Sequence, residues 1–152
     1  DDSEVFTDLT WAISNGDKED LEACIPIPLT PCDEQAFNIQ VETLNFKNGS
    51  GIRSASAKIV NNVIAINNAS MDYSFHGLTT NQRFYIIGNF ELDHEYLPEN
   101  DWVFRLDDAD IDIDAFDEIC ENAYDELSKP NGYSPSLTSI DAVIESLRVE
   151  AE

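Results

Sequence analysis

The chain has 152 residues, of which 31 are Asp or Glu and only 8 are Lys or Arg, so its formal net charge is −23. Such a charge repels nucleic acids and anionic membranes, which excludes direct binding to DNA, RNA or a lipid surface. The hydrophobic fraction of 42% is too high for a disordered acidic chain. We therefore expect a single folded domain that spans residues 1–152.

The acidic residues are concentrated in two regions of the chain. Residues 1–34 hold ten acids and one base, and residues 91–126 hold fifteen acids and one base. Residues 35–90 hold only two acids against four bases, and residues 127–152 hold four acids against two bases. Solubility of a small domain needs a net charge of only about 2–8, and adaptation to high salt would not explain the uneven placement. The charge distribution therefore indicates a function.

The first predicted elements are two short helices within residues 1–34. Apolar residues recur at helical spacing over 5–13, and Gly16 follows where a C-terminal cap belongs. A second short helix follows and ends at Pro26, because proline lacks the amide hydrogen that a helix needs. Residues after Pro26 are predicted to be an extended link into a sheet.

An antiparallel sheet of about four to six strands, arranged as a meander, is predicted over residues 36–106. Apolar and polar residues alternate over 37–42, and the phase then shifts, which indicates a bulge near Thr43. Asn48-Gly49 and Asn61-Asn62 are predicted to be turns between the first strands.

The later strands of the sheet are less regular in sequence. Strand character continues over 63–66, 71–75 and 84–87, and His76-Gly77 is predicted to be part of a turn. Residues 102–106 are predicted to add a last strand.

Residues 114–152 are predicted to be helical. A first helix covers about residues 114–128 with Asp114 as its N-cap, and a final helix carries an apolar stripe over 140–151. Thr138 and Asp141 resemble a capping box at the start of that helix. The expected fold is α+β, with acidic helices in the N-terminal and C-terminal parts of the chain covering one face of the sheet.

The helix predicted over 114–128 separates its acids from its apolar residues. At 100° per residue five acids fall within an arc of about 100°, and the apolar residues lie on the other side. We call these five acids the ridge: Asp114, Asp117, Glu118, Glu121 and Asp125. The predicted apolar side consists of Phe116, Ile119, Cys120, Ala123, Tyr124 and Leu127.

The spacing of the ridge is close to that of a nucleic-acid backbone. Eleven residues of helix span about 16 Å, which gives one carboxylate per roughly 4 Å of axis. One strand of B-DNA presents a phosphate per about 3.4 Å. If the preceding run is extended, its alternate acids share one face about 6.6 Å apart and prolong the charged line. That run contributes Asp108, Asp110 and Asp112.

The sequence thus predicts a non-enzymatic acidic inhibitor that occupies the basic, nucleic-acid-binding surface of a partner protein by imitating DNA. The partner would be a nuclease, a toxin or another nucleic-acid-binding protein, as for an anti-restriction, anti-CRISPR or toxin-immunity protein. No cofactor or metal is expected. The predicted partner-binding residues are Asp108, Asp110, Asp112 and the five ridge acids, with Glu95, Glu99 and Asp101 as second choices.

Three other interpretations stay open. In the first, the acids are an ordinary solvated helix face, as charge runs usually are. In the second, the protein is an assembly subunit that binds through an apolar face of its sheet. Asp108, Asp110 and Asp112 also resemble the start of an EF-hand loop, but Ile113 stands where that loop needs glycine and Ile119 where it needs glutamate. The third interpretation is therefore a weak divalent-cation-binding module rather than an EF-hand.

Cysteine usage and hydropathy predict a cytoplasmic protein. Cys24, Cys32 and Cys120 are too few, and odd in number, for a disulfide framework, although Cys24 and Cys32 could pair. No apolar run approaches the length of a membrane span or a signal peptide. The chain opens at Asp1, which leaves open whether a leader preceded it.

Catalytic motifs are missing from the sequence. Its two histidines, His76 and His94, have no cysteine partners at zinc spacing, and it contains no glycine-rich phosphate loop and no Gly-x-Ser-x-Gly elbow. A pair of carboxylates can be found anywhere among 31 acids, so such a pair carries no information. An enzyme is therefore not expected.

Overall fold

The computed structural model of the protein describes residues 33–60, 63–105 and 112–150. The predicted N-terminal helices lie outside the described residues. So do Cys24, Cys32, the turn at 61–62, and Asp108 and Asp110.

The described residues form an α+β structure of strands, one short 3-10 turn and two α-helices. The strands are β1 (Asp33–Phe46), β2 (Gly49–Val60), β3 (Val63–Ala65), β4 (Met71–Thr79), β5 (Tyr85–Glu91), β6 (Asp93–His94), β7 (Val103–Arg105) and β8 (Tyr133–Ser134). The helices are α1 (Ile113–Leu127) and α2 (Leu137–Ser146), and the 3-10 turn is Asn68–Ser70. Within the described ranges, neither helix is long and apolar enough to cross a membrane.

Six strands form one antiparallel sheet with β2 at its centre. One edge of β2 pairs with β1 along its whole length. Its other edge pairs first with β4, up to Ala57 opposite Met71, and then with β3, where Ile59 lies opposite Ile64. Strands β3 and β4 therefore form one row that the 3-10 turn interrupts. β5 pairs with β4, and β7 pairs with β3.

This topology confirms an antiparallel sheet and corrects two details of the prediction. The sheet begins at Asp33, three residues before the predicted start at 36. The meander is incomplete, because β7 returns to pair with β3 rather than with the strand that precedes it in sequence. Among the described strands, β6 and β8 pair only with each other, in a separate two-stranded ribbon.

The predicted bulge in β1 lies earlier than Thr43. The register shifts between Ile39 and Glu42, and Gln40 adopts a left-handed φ of 55°. In this conformation the Gln40 side chain donates hydrogen bonds of 2.9 Å to the carbonyl oxygens of Leu127 and Lys129. The bulge thus gives the C-terminal end of α1 the side-chain partner that its last carbonyls lack.

The turn predicted at His76-Gly77 is wrong, since both residues lie inside β4. Gly77 lies opposite Gly51, and a Cβ atom on either residue would overlap the aromatic ring of Phe75. The two glycines therefore make room for an aromatic ring above the sheet. The Phe75 ring also packs edge-on against that of Phe46, with centroids 6.2 Å apart.

Both helices pack on one face of the sheet and bury its core. Ala55 and Ala57 of β2 and Tyr73 and Phe75 of β4 lie in this core without solvent exposure. The helices add apolar residues of their own: Ala123 and Leu127 from α1, and Leu137, Ile140 and Ile144 from α2. The opposite face is also buried, since Val41, Ile52 and Leu78 are only 3%, 2% and 6% exposed.

The helix ends differ from the predicted ones. The N-cap of α1 is Asp112 rather than Asp114, because the Asp112 Oδ1 accepts a hydrogen bond of 3.1 Å from the Ala115 amide. The N-cap of α2 is Ser136, so Thr138 and Asp141 do not form the capping box.

The final helix stops at Ser146 rather than continuing to 151. The chain beyond it is held by the turn between β1 and β2. The Lys47 amide donates to the Leu147 carbonyl at 3.0 Å. The Asn48 side chain donates to the Val149 carbonyl at 2.7 Å and accepts from the Val149 amide at 3.0 Å. These hydrogen bonds take the place of the backbone hydrogen bonds that a helix continuing to residue 151 would make.

A buried polar network joins the sheet to α2. Arg53 is 4% exposed, and its guanidinium lies 2.9 Å from the Glu42 carboxylate and 3.3 Å from the Asp141 carboxylate. It also donates to the Gln40 carbonyl at 2.6 Å. Tyr73 donates to Asp141 at 2.8 Å, and burial together with this carboxylate raises the pKa of Tyr73 well above its ordinary value.

Removing one carboxylate from this network should destabilise the fold. We expect Asp141→Ala to lower the free energy of unfolding by about 2–4 kcal/mol, because it removes one of the two carboxylates beside the buried Arg53 guanidinium and leaves the buried Tyr73 hydroxyl without its acceptor. Tyr73→Phe should lower it by about 1 kcal/mol, since it removes one hydrogen bond and no charge. Urea unfolding at neutral pH measures both.

The matched control is Glu145→Ala, an exposed acid on the same helix. Equal unfolding free energies for Asp141→Ala and Glu145→Ala would contradict a stabilising role for the network.

Candidate functional site

Helix α1 is fixed to the sheet along one side and at its C-terminal end. Ala123 and Leu127 are fully buried, and the ring of Phe116 packs edge-on against that of Phe104 with centroids 4.9 Å apart. Asp112 caps the first turn. At the last turn, the Leu127 carbonyl accepts hydrogen bonds from Gln40 and from the Tyr133 hydroxyl. The opposite side of α1 therefore faces solvent in a fixed orientation.

All five ridge acids lie on this exposed side. Lys129 pairs with Glu126 at 2.6 Å, which is outside the ridge. Among residues 33–60, 63–105 and 112–150, no Lys or Arg is paired with a ridge carboxylate. In the part of the chain that the structure describes, the ridge is therefore a row of exposed carboxylates without a cationic partner, at the spacing of roughly 4 Å that the helical rise gives.

An apolar pocket of about 410 Å³ lies beside the ridge, between α1 and the chain around β3. Ile64 and Ile66 are buried and contribute apolar walls. The helix contributes Phe116, Cys120, Tyr124, Glu121 and Asp125. Two ridge carboxylates thus line a cavity that is otherwise mostly apolar.

Two helix residues differ from their predicted surroundings. Tyr124 was expected on the buried apolar side, but its side chain is 45% exposed where α1 borders the pocket. Cys120 is partly exposed, and burial together with the nearby Asp117 carboxylate raises the pKa of its thiol. A raised pKa keeps the thiol protonated, so Cys120 is a weak nucleophile.

The second-choice acids lie in another part of the fold. Glu95, Glu99 and Asp101 are exposed in the connection between β6 and β7, and none of them lines the pocket beside α1. Glu99 instead lines a polar cleft of about 460 Å³ that also contains Asp72, Glu91 and Asp93. Of the run before α1, Asp112 is the only acid in the described residues, and it serves as the helix cap.

The calcium hypothesis meets a geometric difficulty in the part that is described. In the register that starts at Asp108, Ile113 is the sixth position of the loop and Ile119 the twelfth. Both belong to α1. The second half of the loop is therefore a regular helix rather than a chain wrapped around an ion. Within the described ranges, no group of three His, Cys, Asp or Glu side chains could hold a metal ion.

Both histidines make structural contacts. His94 is buried, its ring lies edge-on to Tyr133, and its Nε2 is 3.0 Å from the Asn131 carbonyl. Its Nδ1 accepts a hydrogen bond of 3.2 Å from the Tyr96 amide. The neutral tautomer with its proton on Nε2 satisfies both contacts.

His76 is buried in β4, with Nδ1 2.5 Å from the Tyr85 hydroxyl. Burial lowers the pKa of His76 to about 4. In the unfolded chain His76 would have the ordinary histidine pKa of about 6.5, so protonation favours the unfolded state below that pH. Above pH 6.5 the histidine is neutral in both states, and the fold keeps its full stability with respect to this group. That stability is lost progressively as the pH falls toward 4.

We expect His76→Asn to reduce the sensitivity of folding to acid. Between pH 7 and pH 4.5 the native protein should lose about 2 kcal/mol more unfolding free energy than the variant. Both proteins contain the same carboxylates, so the difference between their changes in unfolding free energy isolates the contribution of His76. Urea unfolding at both pH values measures it, and parallel pH profiles would contradict the assignment.

Comparison with known proteins supplies no relative for this arrangement. No protein-family model, no curated protein and no solved structure matches the chain.

Proposed function

We propose that the protein is a non-enzymatic inhibitor in which the α1 ridge occupies the basic, nucleic-acid-binding surface of a partner protein. The observation that carries this proposal is the row of five exposed carboxylates, unpaired within the described residues, on a helix whose other side is buried. A Lys/Arg-lined groove that accepts phosphates at about 3.4 Å spacing would find carboxylates at a similar spacing here.

The physical basis is many weak interactions acting together. A single exposed ion pair contributes only about 0–1 kcal/mol. A row of like charges in a fixed orientation instead creates an extended negative potential, which speeds encounter with a cationic surface and makes binding sensitive to salt. Because α1 is already ordered, partner binding need not supply the free energy to order it.

Several biological settings fit this chemistry. The partner would be a restriction nuclease, a CRISPR effector, a toxin or another nucleic-acid-binding protein, and the proposed location is the cytoplasm. These partners share a cationic groove, which is the property that the ridge would recognise.

The competing proposal, an assembly subunit that binds through an apolar face of the sheet, has less support. The sheet face opposite the helices carries Val41, Ile52 and Leu78, and all three are buried. Ile87 on the same face is 41% exposed, as a single apolar residue in β5. Isolated exposed apolar residues are normal on a protein surface and do not indicate an interface.

Charge reversal on the ridge tests the proposal. The variant Glu118→Lys, Glu121→Lys, Asp125→Lys should bind a partner captured at low salt at least about tenfold more weakly, because three charge contacts become repulsive. Its far-UV circular dichroism should be unchanged, since these residues are exposed in the last two-thirds of α1. Duplex DNA should displace the native protein from the same partner.

The matched control reverses three exposed acids elsewhere: Glu91, Glu145 and Glu150. Both variants have the same net charge, so only the position of the change differs. The proposal is wrong if the two variants bind equally well, if DNA does not compete, or if affinity is unaffected by moderate salt.

A further inference from the structure

The ridge and the apolar pocket beside it share residues. Glu121 and Asp125 belong to the ridge by their position on α1, and both also line the pocket. The pocket volume of about 410 Å³ is in the range of sites that hold a small ligand or one large side chain. A partner that covers the ridge therefore also meets an apolar cavity at its edge.

Apolar residues recur on the side of α1 that borders the pocket. Ile113, Cys120 and Tyr124 are seven and four residues apart, which places them on one side of the helix. Ile113 is 62% exposed and Tyr124 is 45% exposed. Within α1, the exposed large apolar residues thus lie on the side next to the carboxylates, which is the arrangement that a mixed apolar and cationic partner segment would fit.

We infer that the pocket receives one large apolar side chain from a Lys/Arg-rich segment of the partner, while the flanking cations contact Glu121 and Asp125. This inference rests on the proposed function, because the basic character of the occupant follows from the ridge. Charge complementarity alone would admit any cationic surface. The apolar pocket adds selectivity, since only a segment with a suitable side chain between its cations satisfies both parts.

Two synthetic Lys/Arg-rich peptides that differ only in their central residue, tryptophan or glycine, test the inference by isothermal titration at low ionic strength. The tryptophan peptide should bind the native protein about 10–100-fold more tightly, the range expected for burial of one large apolar side chain. Affinity for both peptides should fall as salt is added.

Cys120→Trp fills the pocket and should reduce the tryptophan peptide to the affinity of the glycine peptide. Val143→Trp is the matched control, because Val143 is 51% exposed on α2 and the change adds similar bulk outside the pocket lining. This control should leave the difference between the peptides intact. If Cys120→Trp does not fold, alkylation of Cys120 in the Cys24→Ser, Cys32→Ser protein replaces it. The tryptophan peptide should slow alkylation and the glycine peptide should not.

The outcomes separate this inference from the proposed function. Equal, salt-sensitive binding of the two peptides overturns the pocket inference and leaves the ridge proposal standing. A tryptophan advantage that persists in folded Cys120→Trp, or alkylation that the tryptophan peptide does not slow, also overturns the inference. If neither peptide binds at low ionic strength, both proposals fail.

Discussion

The packing of α1 against the sheet is the constraint on which the surface chemistry depends. Buried Ala123 and Leu127 fix which side of the helix faces inward. The hydrogen bonds from Gln40 and Tyr133 to the Leu127 carbonyl hold its C-terminal end. Once that orientation is set, the 3.6-residue helical period places every ridge acid in solvent. The charged surface is therefore a consequence of the core, and it does not depend on contacts among the acids themselves.

The magnitudes show why the helix tolerates this charge. The ridge contains five pairs of acids at i,i+3 or i,i+4 spacing, and each like-charge pair costs about 0.2–0.5 kcal/mol. Burial of a single leucine-sized side chain contributes about 1.5–3 kcal/mol, and α1 buries Leu127 and partly buries Phe116 and Ile119. Burial thus outweighs the repulsion. The remaining repulsion would be relieved when a cationic surface neutralises the ridge, which favours such a partner.

Local periodicity in the sequence predicts part of this fold. The presence of a helix near residues 114–128, the exposure of the ridge acids and the antiparallel sheet follow from spacing alone, and the structure agrees on all three. Local periodicity does not predict the features that depend on tertiary contacts. Gly77 resembled a turn residue, but it provides space for the Phe75 ring. The apolar stripe that continues after Ser146 predicts a helix, but hydrogen bonds from Asn48 hold that segment in an extended conformation.

The pocket also depends on tertiary contacts, so local patterns in the sequence do not predict it. Ile64 belongs to a short strand and Cys120 to a helix, and neither local pattern indicates that the two residues meet. The one available signal was Tyr124, an aromatic residue at the border between the apolar and acidic sides of the helical wheel. Amphipathic side chains at such borders commonly lie at the edge of a buried surface.

The most direct test of the central claim is NMR mapping of the surface that a captured basic partner covers. The account predicts chemical-shift changes in the amides of Asp117 to Asp125 and in the methyl groups of Ile64 and Ile66. Changes confined to β5, around Ile87 and Asn89, with α1 unaffected, would contradict it.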